Sequence, residues 1–317
     1  MILCIGPTPA AQRVMVFRTF AVDAVNRALM TIDGAAGKSI NVAKVLHALG
    51  EKPVAAGFLG GDRGAYIRSV LETRGIESDF VTVAARTRQC ATLIDQSAAT
   101  QTELVEESQP VTAADYERLM GIVRERVRKG CRAAIMSGGI TTGGPMDFYF
   151  QCVRLAHEAG VLSVVDAQGT TLLEALKARP GLVKPNRAEL AATAGRELKD
   201  EKALMLAMGE LHDRGAQRVV VTAGKDPALA FDGRRFWRIV PPGIAPLNPI
   251  GSGDAFTAGL VSQLLQGADL GEACRWGAAA GAANALTLMA GEVEKADVER
   301  LAKEAKIDQV SAADTCA

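Results

Sequence analysis

The sequence lacks an excess of charge of either sign. Its 36 Lys and Arg residues balance 36 Asp and Glu residues, so the formal net charge at pH 7 is +0. Binding to nucleic acid or to an anionic lipid surface generally requires a basic field. No apolar stretch is long enough, without charges, to span a membrane. The composition therefore predicts neither a nucleic-acid partner nor a membrane partner.

Histidine and closely paired cysteines are also scarce. The chain has 3 His residues, and none of its 6 Cys residues belongs to a Cys-x-x-Cys pair. A disulfide framework or a zinc site normally shows such spacing, so we expect free thiols. The first residues, Met1 to Gly6, lack the basic and long apolar regions of a signal peptide and predict a buried strand. We expect a cytoplasmic protein.

What the chain does contain is a repeated alternation of strands and helices. Its 317 residues can bury a large core in one α/β domain or in two. Strands predicted near 54–59, 133–136, 162–166, 182–184 and 218–222 are interleaved with helical segments, which predicts a parallel sheet with helices on both faces. Ligands bind at the C-terminal ends of such strands, where this chain has Ser137, Asp166, Lys184, Thr222 and Asp254.

The stretch 246–260 carries the clearest chemical pattern. It reads Pro-Leu-Asn-Pro-Ile-Gly-Ser-Gly-Asp-Ala-Phe-Thr-Ala-Gly-Leu. Gly251 and Gly253 permit a tight turn, after which Asp254 opens a helical run. The backbone N–H groups of Gly251, Ser252 and Gly253 would form an anion hole for a phosphoryl group at that helix N-terminus. A carboxylate beside the hole can take a proton from an attacking hydroxyl. The alternative is that Asp254 is only an N-cap.

A second glycine-rich stretch, residues 34–50, leads into another predicted helix. Apolar residues recur there at helical spacing, and Gly50 ends the helix. Gly37-Lys38-Ser39 is similar to the end of a Walker A loop. That motif requires a glycine at position 32, where this chain has Ile32, so the match fails.

Together the two stretches resemble the two signatures of the ribokinase-like, PfkB-type carbohydrate kinases. The C-terminal signature has the core Gly-Ser-Gly-Asp, and the N-terminal one reads Gly-Gly-Lys-Gly-x-Asn-Val-Ala, with Ala36 and Ser39 here in place of two glycines. Asn-Pro-Ile-Gly-Ser-Gly-Asp is most similar to the branch of 1-phosphofructokinases and tagatose-6-phosphate kinases. The resemblance implies a kinase that uses ATP and Mg²⁺ to phosphorylate a sugar or, above all, a sugar phosphate.

The same resemblance implies a fold and an assembly. We expect an α/β, ribokinase-like three-layer α/β/α sandwich with a mostly parallel central sheet and a small β lid. The kinase domain would span residues 1–310, with lid segments at about 10–33 and 86–108 and a frayed tail at 311–317. Lid closure would exclude water from the sugar site. Half-exposed lid strands predict a homodimer formed through the lid.

The resemblance also assigns roles to individual residues. Asp254 would be the general base, beside the anion hole of Gly251, Ser252 and Gly253. The substrate-binding residues would be Gln12, Gly37, Lys38, Asn41, Arg88 and Ser137, of which Lys38 and Arg88 would bind the acceptor's phosphate. The ATP-binding residues would be Lys184, Asn186, Thr222, Gly224, Gly253 and Asn284. Asn186 and Glu189 would help to position Mg²⁺ through water.

Simpler interpretations remain open for several of these residues. Asn186 and Glu189 also form an ordinary capped helix start. Lys38 could be a solvated surface lysine, and Asn284 a polar residue on a packed helix.

Three positions depart from the branch's pattern in the expected acceptor site. Gln12 replaces an aspartate, Cys90 an asparagine and Gly139 a serine. Two alternatives therefore stay open. One is a kinase of an unphosphorylated sugar, nucleoside or other alcohol, in which Lys38 and Arg88 would be idle. The other is a non-catalytic binding or regulatory protein on a kinase fold, against which the intact Asp254 and its anion hole argue.

Overall fold

The computed structural model describes residues 1–310, and the predicted frayed tail at 311–317 lies outside the described residues. The described strands are β1 (Ile2–Gly6), β2 (Ala10–Phe17), β3 (Met30–Ala36), β4 (Pro53–Leu59), β5 (Glu77–Thr82), β6 (Arg88–Asp95), β7 (Thr100–Val105), β8 (Ala133–Ser137), β9 (Leu162–Asp166), β10 (Leu182–Val183), β11 (Val219–Ala223), β12 (Asp226–Phe231), β13 (Phe236–Val240) and β14 (Lys306–Val310). The described helices are α1 (Lys38–Ala48), α2 (Gly61–Thr73), α3 (Ala113–Arg128), α4 (Phe148–Glu158), α5 (Gly169–Leu176), α6 (Arg187–Ala194), α7 (Glu201–Asp213), α8 (Ser252–Leu265), α9 (Leu270–Ala285) and α10 (Lys295–Glu304).

A large, mostly parallel sheet forms the middle layer, as predicted. Its strand order is β14-β13-β12-β11-β10-β9-β8-β1-β4-β5. The strands from β11 to β5 pair in parallel, whereas β12, β13 and β14 extend the sheet in antiparallel fashion. The central strands β1, β4 and β8 are buried throughout. Continuous apolar strands of this kind are typical of sheets covered on both faces.

Helices cover both faces of the sheet. One apolar cluster joins a sheet face to α1, α2, α8, α9 and α10 through side chains such as Ile40, Ile67 and Leu260. A second cluster joins the opposite face to α3, α4, α5, α6 and α7. The molecule therefore has the three-layer α/β/α architecture predicted from the sequence. None of the helices within residues 1–310 is long and apolar enough to cross a membrane.

A separate sheet of four strands, the small sheet, has the order β3-β2-β6-β7. Strand β2 pairs in parallel with β6, and the two outer pairs are antiparallel. Val14, Val16 and Ile94 pack in a small apolar cluster with Met289, which follows α9. Strands β2, β6 and β7 lie within the predicted lid segments, about 10–33 and 86–108, whereas β3 extends past the first segment to Ala36.

The fold places several of the predicted ligand-binding groups around the C-terminal end of β1. Strand order reverses there, because β4 and β5 lie on one side of β1 and β8 to β11 on the other. Such a reversal leaves a crevice at the C-terminal ends of the strands. Helix α1 begins directly above it, where a Cβ at Gly6 would lie only 2.3 Å from Ser39 Oγ. Glycine at position 6 therefore allows α1 to approach the crevice closely.

Candidate active site

Asp254 lies in the first turn of α8, but it is not the N-cap. The N-cap residue is Gly251, with φ 85°, and no side chain caps this helix. The Asp254 carboxylate instead accepts a hydrogen bond of 2.8 Å from Asn41 Nδ2 on α1, and the residue is 6% exposed. The interpretation of Asp254 as an N-cap is therefore wrong. The helix begins at Ser252, two residues earlier than the sequence predicted, so Asp254 lies inside the first turn and does not cap it.

The turn before α8 requires glycine. A Cβ at Gly251 would lie 2.8 Å from Ala290 Cβ, and its positive φ is unfavourable for other residues. Ser252 N–H donates to the Pro249 carbonyl at 3.1 Å, which corrects the prediction that all three N–H groups of this turn are available. Within residues 1–310, the N–H groups of Gly251 and Gly253 have no acceptor. They leave two donors at the positive end of α8.

Asp166, at the end of β9, connects two lysines beside this turn. Its carboxylate lies 2.9 Å from Lys184 Nζ and 3.0 Å from Lys38 Nζ. Thr257 Oγ1 on α8 donates to the same carboxylate at 3.3 Å. An ideal Cβ on Gly253 would lie 3.7 Å from Lys184 Nζ, so this ammonium group stands next to the turn. Sequence reasoning placed Asp166 at a strand end but gave it no role.

The pKa values of the two aspartates diverge. Burial alone would raise the pKa of Asp166, but Lys184 and Lys38 outweigh burial and lower it to about 2. Burial raises the pKa of Asp254 to about 6, helped by the negative charge of Asp166 and opposed by Lys38, Asn41 and Lys184. Such a separation is typical of sites where one carboxylate stays charged and another exchanges a proton near neutral pH.

The two cations predicted to bind an acceptor phosphate have different partners. Lys38 Nζ contacts Glu189 Oε1 at 3.3 Å in addition to Asp166, and its side chain is 37% exposed. Arg88 donates from Nε and Nη2 to the main-chain carbonyl of Thr8, at 3.2 and 3.0 Å. The same Thr8 carbonyl lies 3.3 Å from an ideal Cβ at Gly37, the residue before α1. Thr8 therefore lies between Arg88 and the start of α1.

Gly37, also predicted to bind substrate, precedes α1. It has φ 104°, and a Cβ there would lie 2.8 Å from Pro9 Cα, so only glycine fits between the small sheet and α1.

Two buried polar atoms of predicted substrate-binding residues lack a partner. Among residues 1–310, Asn41 Oδ1 and Ser137 Oγ are the buried side-chain polar atoms without a hydrogen bond. Such atoms are costly to bury, and they are often found where a ligand binds. Gln12, on β2, donates from Nε2 to Thr92 Oγ1 at 2.7 Å. One N–H of its amide is therefore committed to the small sheet.

Three of the predicted ATP-binding residues line one cavity of about 630 Å³. They are Asn186, Thr222 and Gly224, at the C-terminal ends of β10 and β11. Asn186 and Glu189 form a reciprocal capping box at the start of α6, which confirms the simpler interpretation of that pair without excluding a second role. The volume is within the range of small-molecule sites.

Asn284 lies apart from this cavity, behind the glycine turn. Its amide donates to the Ile250 carbonyl at 2.9 Å and accepts from Gly291 N at 2.7 Å, and the residue is 1% exposed. The structure therefore gives it an architectural function, and contact with ATP stays a prediction.

Comparison with known proteins agrees with this fold. The profile of the pfkB family carbohydrate kinases matches residues 4–296. A tagatose-6-phosphate kinase of Staphylococcus epidermidis is 30% identical over 313 residues, covering 98% of this chain and 100% of that protein. The structure of a possible 1-phosphofructokinase of Thermotoga maritima superposes with a TM-score of 0.90 at 25% identity, covering 98% of this chain and 100% of that chain. Phosphofructokinase-2 of Escherichia coli, in complex with substrates and products, gives a TM-score of 0.86 at 26% identity, covering 95% and 98%.

The chain belongs to the pfkB family of carbohydrate kinases. It is therefore a phosphotransferase enzyme with the ribokinase-like fold, and ATP is its co-substrate.

The raised pKa of Asp254 predicts a pH dependence. Below about pH 6 the carboxylate gains a proton and can no longer accept one, so kcat should fall about tenfold for each further pH unit. The measurement is kcat with both substrates saturating, because a phosphate group on an acceptor also titrates near pH ~6 and would alter KM. Circular dichroism at each pH checks that the protein stays folded. A kcat that is constant down to pH 5 would contradict the proton-accepting role of Asp254.

Proposed function

We propose that the enzyme transfers the γ-phosphate of ATP to a hydroxyl of a sugar phosphate, as a kinase similar to tagatose-6-phosphate kinase or 1-phosphofructokinase. The observation that carries this proposal is the arrangement at the start of α8. There a buried carboxylate, Asp254, adjoins the N–H donors of Gly251 and Gly253 and the ammonium group of Lys184. A proton acceptor and an anion-stabilising group are the two requirements of phosphoryl transfer to an alcohol.

In the proposed reaction Asp254 removes the proton of the acceptor hydroxyl. The hydroxyl oxygen forms a bond to the γ-phosphorus while the bond to the β-phosphate oxygen breaks and ADP leaves. The N–H groups of Gly251 and Gly253, with Lys184, stabilise the negative charge on the transferring group. Asn41 holds the carboxylate through its Nδ2, and its unpartnered Oδ1, with Ser137 Oγ, is available to the acceptor's hydroxyls.

The proposed Mg²⁺ would neutralise phosphate charge when bound. No group of three or more His, Cys, Asp or Glu residues in the described chain could enclose a metal ion. Asn186 and Glu189 are engaged in their capping box, and Glu189 also contacts Lys38. Asn186 and Glu189 therefore fit a Mg²⁺ ion that keeps its waters. Phosphate oxygens would be its main protein-independent ligands, and the two side chains would act on it through water.

The phosphate of the acceptor would lie against Arg88 and Lys38. The arginine comes from the small sheet and the lysine from α1, so an acceptor held by both would lie between the small sheet and α1. There the small sheet would cover the acceptor as a lid. The kinase of an unphosphorylated alcohol is the second candidate, because Lys38 already has two carboxylate partners and needs no phosphate.

The small sheet also supports a proposed homodimer. Strand β7 is an outer strand of this sheet, and Leu104 and Val105 on it are 54% and 49% exposed. Leu29 and Met30, at the start of the other outer strand, are similarly exposed. Open strand edges with apolar side chains are usually covered by a partner.

A cytoplasmic location stays a prediction.

The sugar-phosphate acceptor can be tested with Arg88→Ala and Lys38→Ala. Each should raise the KM for a hexose phosphate about ten- to a hundredfold, because a charge-assisted bond to phosphate is lost, and leave the KM for ATP unchanged. Arg88→Ala is the cleaner variant, since the bonds of Arg88 go to main-chain carbonyls. Steady-state ADP release, with hexose phosphates and the matching free hexoses as acceptors, provides the measurement.

Arg13→Ala is the matched control for these variants. Arg13 follows Gln12 on β2 but pairs with Asp33 in an exposed ion pair, so its loss should not affect acceptor binding. If Arg88→Ala and Lys38→Ala bind hexose phosphates as the wild type does, the neutral-alcohol candidate replaces the sugar-phosphate proposal.

Gln12 should limit activity on the usual hexose phosphates. An aspartate accepts two charge-assisted hydrogen bonds from vicinal hydroxyls, whereas Gln12 offers one neutral carbonyl oxygen and the one N–H that does not bind Thr92. We expect Gln12→Asp to raise kcat/KM for fructose 1-phosphate and tagatose 6-phosphate, by a factor of about five for each bond strengthened by ~1 kcal/mol. Gln12→Asn shortens the side chain without adding charge and serves as the control. Loss of activity in Gln12→Asp on both sugars would show that Gln12 fits the natural acceptor.

A further inference from the structure

Lys44 is a buried lysine for which the proposed reaction has no use. It lies on α1, and its side chain is 2% exposed. Its Nζ donates to the Ala35 carbonyl at 3.1 Å, to the Ala290 carbonyl at 2.6 Å and to Glu292 Oε1 at 3.3 Å. Three acceptors match the three N–H donors of a protonated ammonium group, whereas a neutral amine has two. The geometry is therefore that of the charged form.

These acceptors come from two separate parts of the protein. Ala35 belongs to β3 of the small sheet, and Ala290 and Glu292 belong to residues 289–292, which we call the bridging loop. The loop packs tightly against α1, because an ideal Cβ on Gly291 would lie 2.7 Å from Lys44 Cε and 2.8 Å from Asn41 Cα. Lys44 and Asn41 are three residues apart and share one face of that helix.

The other side of the bridging loop touches the glycine turn before α8. A Cβ at Gly251 would lie 2.8 Å from Ala290 Cβ and 3.2 Å from Gly291 N. The buried Asn284 side chain strengthens this contact, since it binds both Gly291 N and the Ile250 carbonyl. Met289, the first residue of the loop, packs in the apolar cluster of the small sheet. The loop therefore contacts the small sheet, α1 and the glycine turn at once.

We propose that Lys44 is a positioning residue that ties the end of β3 and the bridging loop to α1, and so fixes the Gly251 turn and Asn41 relative to Asp254. Lys44 touches no reacting atom and acts through the loop and through Asn41. The inference rests on the proposed function, because it takes Asp254 as the base and the turn as the anion hole. A shift of about 1 Å in such groups can cost on the order of a hundredfold in rate.

The charged groups around Lys44 predict how its role depends on pH. Burial lowers the pKa of Lys44 to about 8; Glu292 on the bridging loop and Asp254 on α8 oppose this, whereas Arg74, which follows α2, lowers it further. As the pH rises through about 8, the ammonium loses a proton and one of its three acceptors loses its donor. The loop should then loosen and kcat should fall on the alkaline side.

The test compares kcat and KM of wild type, Lys44→Met and Arg74→Met from pH 6 to 10, with ATP and the best hexose phosphate. Arg74→Met is the matched control, because Arg74 also pairs with Glu292, at 2.7 Å, but in the described chain makes no contact with the Ala35 or Ala290 carbonyls. Lys44→Met should lower kcat about ten- to a hundredfold at pH 7, leave the KM for ATP nearly unchanged and abolish the alkaline fall. Arg74→Met should keep the wild-type kcat at pH 7 and move the alkaline fall to higher pH, because a neighbouring positive charge is removed.

The proposal is overturned if Lys44→Met has the wild-type kcat, or if wild type and Arg74→Met share the same alkaline limb. Should Lys44→Met fail to fold, the alkaline fall of kcat can still be compared between wild type and Arg74→Met. An unchanged fall in Arg74→Met would then overturn the proposal by itself. Failure of the proposed function has a different signature, since the wild-type enzyme would then release no ADP with hexose phosphates at any pH.

Discussion

The site depends on one buried ionic interaction, that of Asp166 with Lys38 and Lys184. A buried carboxylate is stable only when it is paired and hydrogen-bonded, and here two ammonium groups and the Thr257 hydroxyl satisfy it. The partners come from the end of β9, the start of α1, the segment after β10 and the first turns of α8. This interaction therefore joins the four segments that carry the other functional groups. Removing Asp166 would leave the buried charge of Lys184 and the partly exposed charge of Lys38 with one carboxylate partner fewer.

The same charges determine the properties of Asp254. Burial favours its protonated form, while the two lysines and Asn41 favour the carboxylate, and the balance raises its pKa to about 6. A general base is most effective when its pKa lies near the working pH. The lysines thus have a double function, because they hold Asp166 ionised and lower the pKa of Asp254, the proposed base. Lys184 additionally stands beside Gly253, where charge would develop on the transferring group.

Much of this could be predicted from the sequence, because it rests on local patterns. The repeated alternation of strands and helices predicted a parallel sheet covered on both faces, and the spacing of Gly251 to Asp254 predicted the start of α8 to within two residues. The antiparallel edge formed by β12 to β14 was not predicted, because strand pairing with the distant segment Lys306–Val310 leaves no local signal.

Long-range pairing also explains what was missed in the site. The partners of Asp166 lie 128 residues away at Lys38 and 18 positions away at Lys184, and the bridging loop meets α1 across 246 residues. No spacing rule connects such positions. Likewise, the pattern at Asn186 and Glu189 predicted both a capping box and a magnesium site, and only the capping box is visible in the contacts.

The most direct test of the central claim is the turnover of Asp254→Asn with ATP and a hexose phosphate. The substitution keeps the shape of the side chain but removes its ability to accept a proton, while Lys38, Lys184 and the glycine turn are unchanged. Single-turnover formation of phosphorylated acceptor, with nucleotide affinity measured in parallel by calorimetry, separates chemistry from binding. The account predicts a rate about 10²- to 10⁴-fold lower with unchanged nucleotide affinity. A variant that retains nearly full turnover would contradict it.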